Sequence, residues 1–285
     1  MPADPKALAE ILGLDTPLQV ADIGAADIAE APPYRVLLDA GLARLNAFDA
    51  DVRQHEKLRA TYGEALALFT DIIGDGTQQT LHLASPASGM TSLLKPDARR
   101  LEFFNGFDVF GQVQGTEPVQ TTRLDDVAGL PDLDFLKMDI QGGELQALEH
   151  GQARLARCAM IHLEVSFVPL YEGQPSFGEI DVWMRAHGFI PHRFTEVKRW
   201  SVSPITRNSD IRTPFNQLLE ADIVYARDLI DPGLDATLLK KTALLAHACY
   251  DSPDLAGHII ARLEVAGQIA GGAFAKYLGV LGVKT

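Results

Sequence analysis

Short apolar bursts alternate with stretches of helical period through most of this chain. Residues 18–24 put Leu18, Val20, Ala21 and Ile23 into a run stopped by Gly24, the pattern of a short buried strand. Residues 42–49 predict a second strand and 50–62 the helix after it. A third strand is predicted over 65–73, ending at Gly74-Asp75-Gly76, a fourth over 133–139 and a fifth over 159–165. Residues 177–187 have helical period and stop at Gly188, and 216–225 read as a last strand. Strands separated by helices of this length pair in parallel, with crossovers covering both faces. The expectation is therefore an α/β fold with a mostly parallel, doubly wound sheet.

Two segments break the rhythm. Residues 80–119, mixing Gly, Pro, Ser and aromatics, read as an insertion with short strands of its own. From Leu229 onward, Leu238, Leu239, Ala243, Leu244 and Leu245, then Ile259, Ile260 and Leu263, recur at the spacing of amphipathic helices. The division expected is a ligand-binding domain over 1–227 and a helical extension over 228–285. A stripe of this kind must be buried, so the extension is expected to join two copies into a homodimer, with packing on its own domain as the second choice.

Composition narrows the class. The 285 residues are 47% hydrophobic and carry a formal net charge of −13, which disfavours gripping a phosphate backbone; no nucleic-acid partner is expected. The local basic group of Arg193, Lys198 and Arg199 reads as a solvated edge. Two cysteines, Cys158 and Cys249, in unrelated contexts suggest a reducing compartment. With no run approaching a membrane span and no secretory leader, a cytoplasmic protein is expected.

Ligands in such sheets sit beyond the carboxyl ends of the strands, where strand order reverses. The first strand ends on Asp22, Gly24 and Ala25, and glycine there lets the backbone turn sharply against a ligand. The dinucleotide fingerprint Gly-x-Gly-x-x-Gly is absent, which counts against a pyrophosphate. Asp49, at the end of the second strand, stands where an acidic side chain accepts hydrogen bonds from ribose hydroxyls; capping of the next helix is its alternative role, which Asp51 fills equally well. A nucleoside without a pyrophosphate is the economical ligand. Asp71, at the third strand end, is placed to accept from an adenine amine, while Asp75-Gly76 reads as a hairpin turn.

The segment 133–151 is the most specific. Asp139 closes a buried strand, Lys137 shares its face, two glycines follow, and Glu144 opens a helix, where it could serve the dipole alone. His162 and Glu164 alternate on the fifth strand and share a face, able to deprotonate an acceptor hydroxyl or to fix the loop as a buried pair. Tyr171 and Glu172 would then lie over the acceptor, with His192 a lesser candidate. Asp22, Asp139 and Glu164 suit a hard cation by type, but their spacing does not show convergence, and no metal is expected.

On Asp22-Ile23-Gly24-Ala25, Phe48-Asp49-Ala50-Asp51, Leu124-Asp125-Asp126, the run from Asp134 through Asp139-Ile140-Gln141-Gly142-Gly143-Glu144, and Leu163-Glu164-Val165, the chain resembles the FkbM-type methyltransferases over about residues 18–227. The resemblance implies a Rossmann-like class I methyltransferase fold, S-adenosylmethionine as cofactor, and O-methylation of a hydroxyl on a sugar, glycan or secondary metabolite. The chain departs from the family pattern at Ala25-Ala26-Asp27 and in having Asp49 where Glu is usual. Asp22, Gly24, Ala25, Asp49, Asp71 and Asp139 are then the cofactor-binding set, and Asp139, His162 and Glu164 the catalytic set. A non-catalytic binding or scaffold protein and an NAD-dependent oxidoreductase are the competing classes.

Overall fold

A computed structural model describes residues 4–25, 31–50, 52–85, 88–231 and 233–282. Ten strands are present among them: β1 (Leu18–Ile23), β2 (Ala43–Phe48), β3 (Leu66–Phe69), β4 (Ile72–Ile73), β5 (Gln78–Leu83), β6 (Gly115–Thr122), β7 (Phe135–Met138), β8 (Met160–Ser166), β9 (Phe189–Arg199) and β10 (Leu218–Arg227). Seven form one sheet in the order β3-β2-β1-β7-β8-β10-β9. The chain runs outward from β1 to β3, then crosses back to place β7 on the other side of β1. Strand order reverses there, so the crevice between the ends of β1 and β7 is the natural ligand position. Strand β10 runs antiparallel to both β8 and β9, and the other main-sheet pairs are parallel.

Alternation along the strands builds two cores. Val20, Leu45, Phe135, Met160 and Val224 face one side, and Ala21, Phe48, Leu136, Ile161, Leu163 and Ile223 the other. The second side is covered by the helices Glu144–Glu149 and Phe177–Ala186, the latter started by a capping box between Ser176 and Glu179. The first side is covered by an N-terminal helix, Pro5–Leu12, and by the tail helices Ala236–Tyr250, Pro253–Val265 and Ala273–Val280.

That cover corrects the expectation of a dimer-forming tail. Leu239, Leu244, Leu245, Ile259 and Ile260 are buried in the same cluster as Val20, Phe135 and Met160. The stripe packs within the chain, the second of the two expectations.

Other departures are local. The third strand stops at Phe69, not at residue 73; Asp71 accepts a hydrogen bond from the Thr122 hydroxyl at 2.9 Å, and Ile72–Ile73 pairs with β6 in a separate three-stranded sheet. The order of that sheet is β4-β6-β5, so Asp75-Gly76 joins two strands that do not pair with each other and is no hairpin turn. The insertion does carry short strands, β5 and β6, as expected. Strand β9 and the N-terminal helix escaped the hydropathy pattern. In β9 the run from Arg193 to Val197 is exposed at the sheet edge, so burial imposes no clean alternation on it. The helix after β2 spans Val52–Tyr62; Asp51, its expected cap, and Ala26 and Asp27 lie outside the described residues.

Candidate active site

Gly24 follows β1 with φ +90°, a conformation that disfavours side chains. A Cβ built on it would stand 2.0 Å from the Asp139 carbonyl oxygen. The Asp139 amide donates to the Ile23 carbonyl at 3.0 Å, and the Ala25 amide to the Phe48 carbonyl at 3.4 Å. These bonds bring the carboxyl ends of β1, β2 and β7 together at the point of reversal.

Asp49 is 8% exposed just beyond β2, where its amide donates to Phe69 and its carbonyl meets the His55 ring at 2.8 Å. Asp22 is buried one residue before Ile23. Its carboxylate accepts from the Tyr34 hydroxyl at 2.5 Å and lies 3.5 Å from the Lys137 ammonium. Burial pushes its pKa up, opposed by Lys137 and Tyr34. Asp22 thus ties the segment after β1 to the sheet, a task that its place at a strand end did not reveal. Asp71 sits at the margin, engaged with Thr122.

Across β7 and β8 a half-buried polar network appears. Gln141 donates through its amide to Asp139 at 2.9 Å and to Glu164 at 3.0 Å, and accepts from the Tyr171 hydroxyl at 3.0 Å. Asp139 and Glu164 are therefore brought together. Lys198 bridges Glu164 at 3.3 Å and Glu220 at 2.8 Å, so this half-exposed residue of the edge strand is paired with two carboxylates. Burial, with Asp139 and Glu220 nearby, raises the Glu164 pKa well above the carboxylate range against the pull of Lys198. Burial likewise lifts Asp222, across from Glu164 on β10, to about 6. Burial raises Glu144 to about 7, although its carboxylate accepts the Ile140 amide at 2.9 Å.

His162 lies apart from this bridge. Its Nδ1 is 3.2 Å from the Tyr250 hydroxyl of the first tail helix, and its Nε2 is 3.4 Å from the Thr195 hydroxyl. Burial and the Lys137 charge lower its pKa to about 3, so the ring is neutral and weakly basic near neutral pH. It lines a cavity of about 750 Å³ with Arg193, Thr195, Tyr250 and Asp251. Gly24, Asp49 and Asp139 do not line that cavity. Glu172 pairs at the surface with Lys95 at 2.7 Å, and the His192 ring meets the Ser252 hydroxyl at 2.8 Å. Among the described residues no cluster of His, Cys, Asp or Glu is arranged to hold a metal ion, and no helix is long and apolar enough to cross a membrane.

Sequence reasoning missed Tyr34, Gln141, Lys198 and Tyr250. Gln141 alone carried a signal, standing between Asp139 and two glycines.

The strand order, with one antiparallel strand inserted next to the edge and the ligand crevice at the β1–β7 reversal, defines the Rossmann-like fold of class I methyltransferases. The chain belongs to the methyltransferase FkbM domain family, which matches residues 22–191, well over half of its length. That family is S-adenosylmethionine-dependent, which sets aside the NAD-dependent oxidoreductase. The 2-O-methyltransferase NoeI of Sinorhizobium fredii (strain NBRC 101917 / NGR234) is 28% identical over 166 residues, covering 54% of this chain and 66% of that protein, just under two thirds of its length. Among solved structures, a precorrin-6y C5,15-methyltransferase from Geobacter metallireducens GS-15 aligns with TM-score 0.36 and 14% identity over 78% of this chain and 87% of that one. Magnesium protoporphyrin IX methyltransferase from Synechocystis PCC 6803, solved with bound SAM, aligns with TM-score 0.35 and 12% identity over 78% and 79%. Likenesses at these scores add nothing to the fold read from strand order.

Proposed function

We propose that this protein transfers a methyl group from S-adenosylmethionine to a hydroxyl oxygen, with a sugar or glycan as the acceptor class. The observation that carries this reading is the convergence of Gly24, Asp49 and Asp139 at the reversal of strand order, within the span that matches the family. The donor set fits the cofactor by its chemistry. Asp49 suits a ribose diol, and the carboxylate of Asp139 suits a ligand bearing a sulfonium and an ammonium group. When bound, the cofactor supplies an electrophilic methyl on a cationic sulfur.

The protein's own tasks are to align the acceptor oxygen and to remove its proton. Glu164 is the proton acceptor in this reading. Burial raises its pKa above the ordinary carboxylate value, which makes the carboxylate, when ionised, a stronger base. Asp139, linked to it through Gln141, faces the same space. His162 is too weak a base for this task at neutral pH and positions Tyr250 and Thr195 instead. The choice of a sugar hydroxyl rests on the likeness to the 2-O-methyltransferase NoeI. The extension over 228–285 contributes Tyr250 and Asp251 to the cavity beside His162.

Calorimetry with S-adenosylhomocysteine tests the cofactor assignment. Asp49→Ala is expected to weaken binding by about 1.5–3 kcal/mol, roughly ten- to a hundredfold. Unchanged affinity removes Asp49 from the site. Labelled methyl transfer to a panel of methyl glycosides tests the acceptor; binding without transfer to any of them would favour another acceptor class or a non-catalytic binding protein.

A further inference from the structure

Gln141 combines three features in one residue. Its φ is +58°, in the left-handed region that a side chain other than glycine or asparagine rarely adopts. Its side-chain amide is shared between two carboxylates, Asp139 and Glu164, while its amide oxygen is held by the buried Tyr171 hydroxyl. Its backbone carbonyl accepts from the buried Ser92 hydroxyl at 2.7 Å, and that hydroxyl also takes the Leu94 amide at 2.9 Å. Gly142 follows with φ +102°, and a Cβ there would press on Leu94 and Gln174 at 3.1 Å. The insertion between β5 and β6 therefore clamps the turn, and the turn presents the amide. Residues held in sparsely populated backbone conformations persist when their surroundings over-determine them, and such residues cluster at functional sites.

We propose that Gln141 is a positioning residue for methyl transfer: its amide holds Asp139 and Glu164 in one geometry as a charge-sharing pair. This rests on the methyltransferase reading above for its function, but not for its physics. An amide NH2 group has two hydrogens, one for each carboxylate. Two carboxylates facing one site repel, and a shared donor offsets that repulsion and favours their charged forms. Glutamate at this position would supply an acceptor where a donor is needed and add a third like charge. Asparagine tolerates the left-handed backbone, but its amide is one methylene short of spanning both partners.

The test needs no acceptor substrate. The titration of Glu164 is followed by carboxyl 13C NMR of the full-length protein labelled at Asp and Glu, with assignment from Glu164→Gln. Gln141→Asn and Gln141→Leu are expected to raise its apparent pKa by about one unit or more, because a donor to the charged form is lost. Gln141→Glu should raise it further. Thermal unfolding is run in parallel, and Gln141→Asn is expected to melt within a few degrees of the parent chain. Titration unchanged in Gln141→Asn and Gln141→Glu overturns the proposal, as does a change seen only in variants that no longer fold. With a glycoside acceptor in hand, the same variants should lose tenfold or more in kcat, with S-adenosylhomocysteine affinity within threefold and the pH profile shifted to the alkaline side. A parent chain that fails to bind S-adenosylhomocysteine would defeat the methyltransferase reading and leave the titration result standing.

Discussion

The carbonyl oxygen of Asp139 lies 2.0 Å from the position that a Cβ on Gly24 would occupy, with Gly24 at φ +90°. The ends of β1 and β7 close on each other through bare backbone. Gly24→Ala is expected to destabilise the fold by about 3 kcal/mol or more, since backbone must shift and a left-handed conformation must also hold a side chain. Denaturant unfolding measures it, and a loss below 1 kcal/mol would show that the two ends are free to separate.

His162 offers a pH-dependent test. Its pKa is lowered to about 3 in the folded protein against an ordinary 6.5, so between these values the unfolded chain binds the proton and the folded chain does not. Its contribution to stability is full above about pH 6.5 and is lost as pH falls toward 3. His162→Gln should make the decline of stability between pH 6 and 4 shallower than in the parent chain. Turnover of the same variant should fall by less than tenfold, whereas a general base contributes about a hundredfold or more. A hundredfold loss with cofactor affinity intact would return His162 to the catalytic set.

Glu144 has the opposite sign. Burial raises its pKa from 4.5 to about 7, so the folded state holds a proton that the unfolded state releases. Its favourable contribution is full below about pH 4.5 and is lost as pH rises through 7. Glu144→Gln keeps an oxygen for the Ile140 amide and cannot ionise. It should be more stable than the parent chain at pH 8, by roughly 1–3 kcal/mol, with the difference shrinking toward pH 5. A variant less stable at pH 8 would mean that the charged carboxylate is preferred at that helix start.

The tail makes a packing prediction. Leu245 is 0% exposed in the cluster that includes Val20, Phe135 and Met160. Leu245→Ala should cost about 2–5 kcal/mol, the range for a buried leucine in a close-packed core. The unfolding midpoint of parent and variant should be independent of protein concentration, because the stripe is buried within the chain. A midpoint that rises with concentration would show that a second copy contributes to the fold.

Periodicity alone determined where strands β1, β2, β7, β8 and β10 and the helical tail fall along the chain, because strands of a sheet covered on both faces are dense in apolar residues. It also drew attention to Gly24, Asp49 and Asp139 as candidate site residues, since strand ends are where apolar runs stop and polar residues begin. Three things were decided only by tertiary structure. The partner of the tail was one, because an apolar stripe records that burial is needed and not against what. The edge strand β9 was another, its outer run released from alternation by solvent. The third was the direction of each polar side chain: Asp22 toward Tyr34, Lys198 toward Glu164 and Glu220, and Gln141 between two carboxylates. Sequence patterning reports which face of a strand is apolar. The pairing of buried charges is set by contacts between residues far apart in the chain, where unpaired burial is costly and any suitable partner lowers that cost.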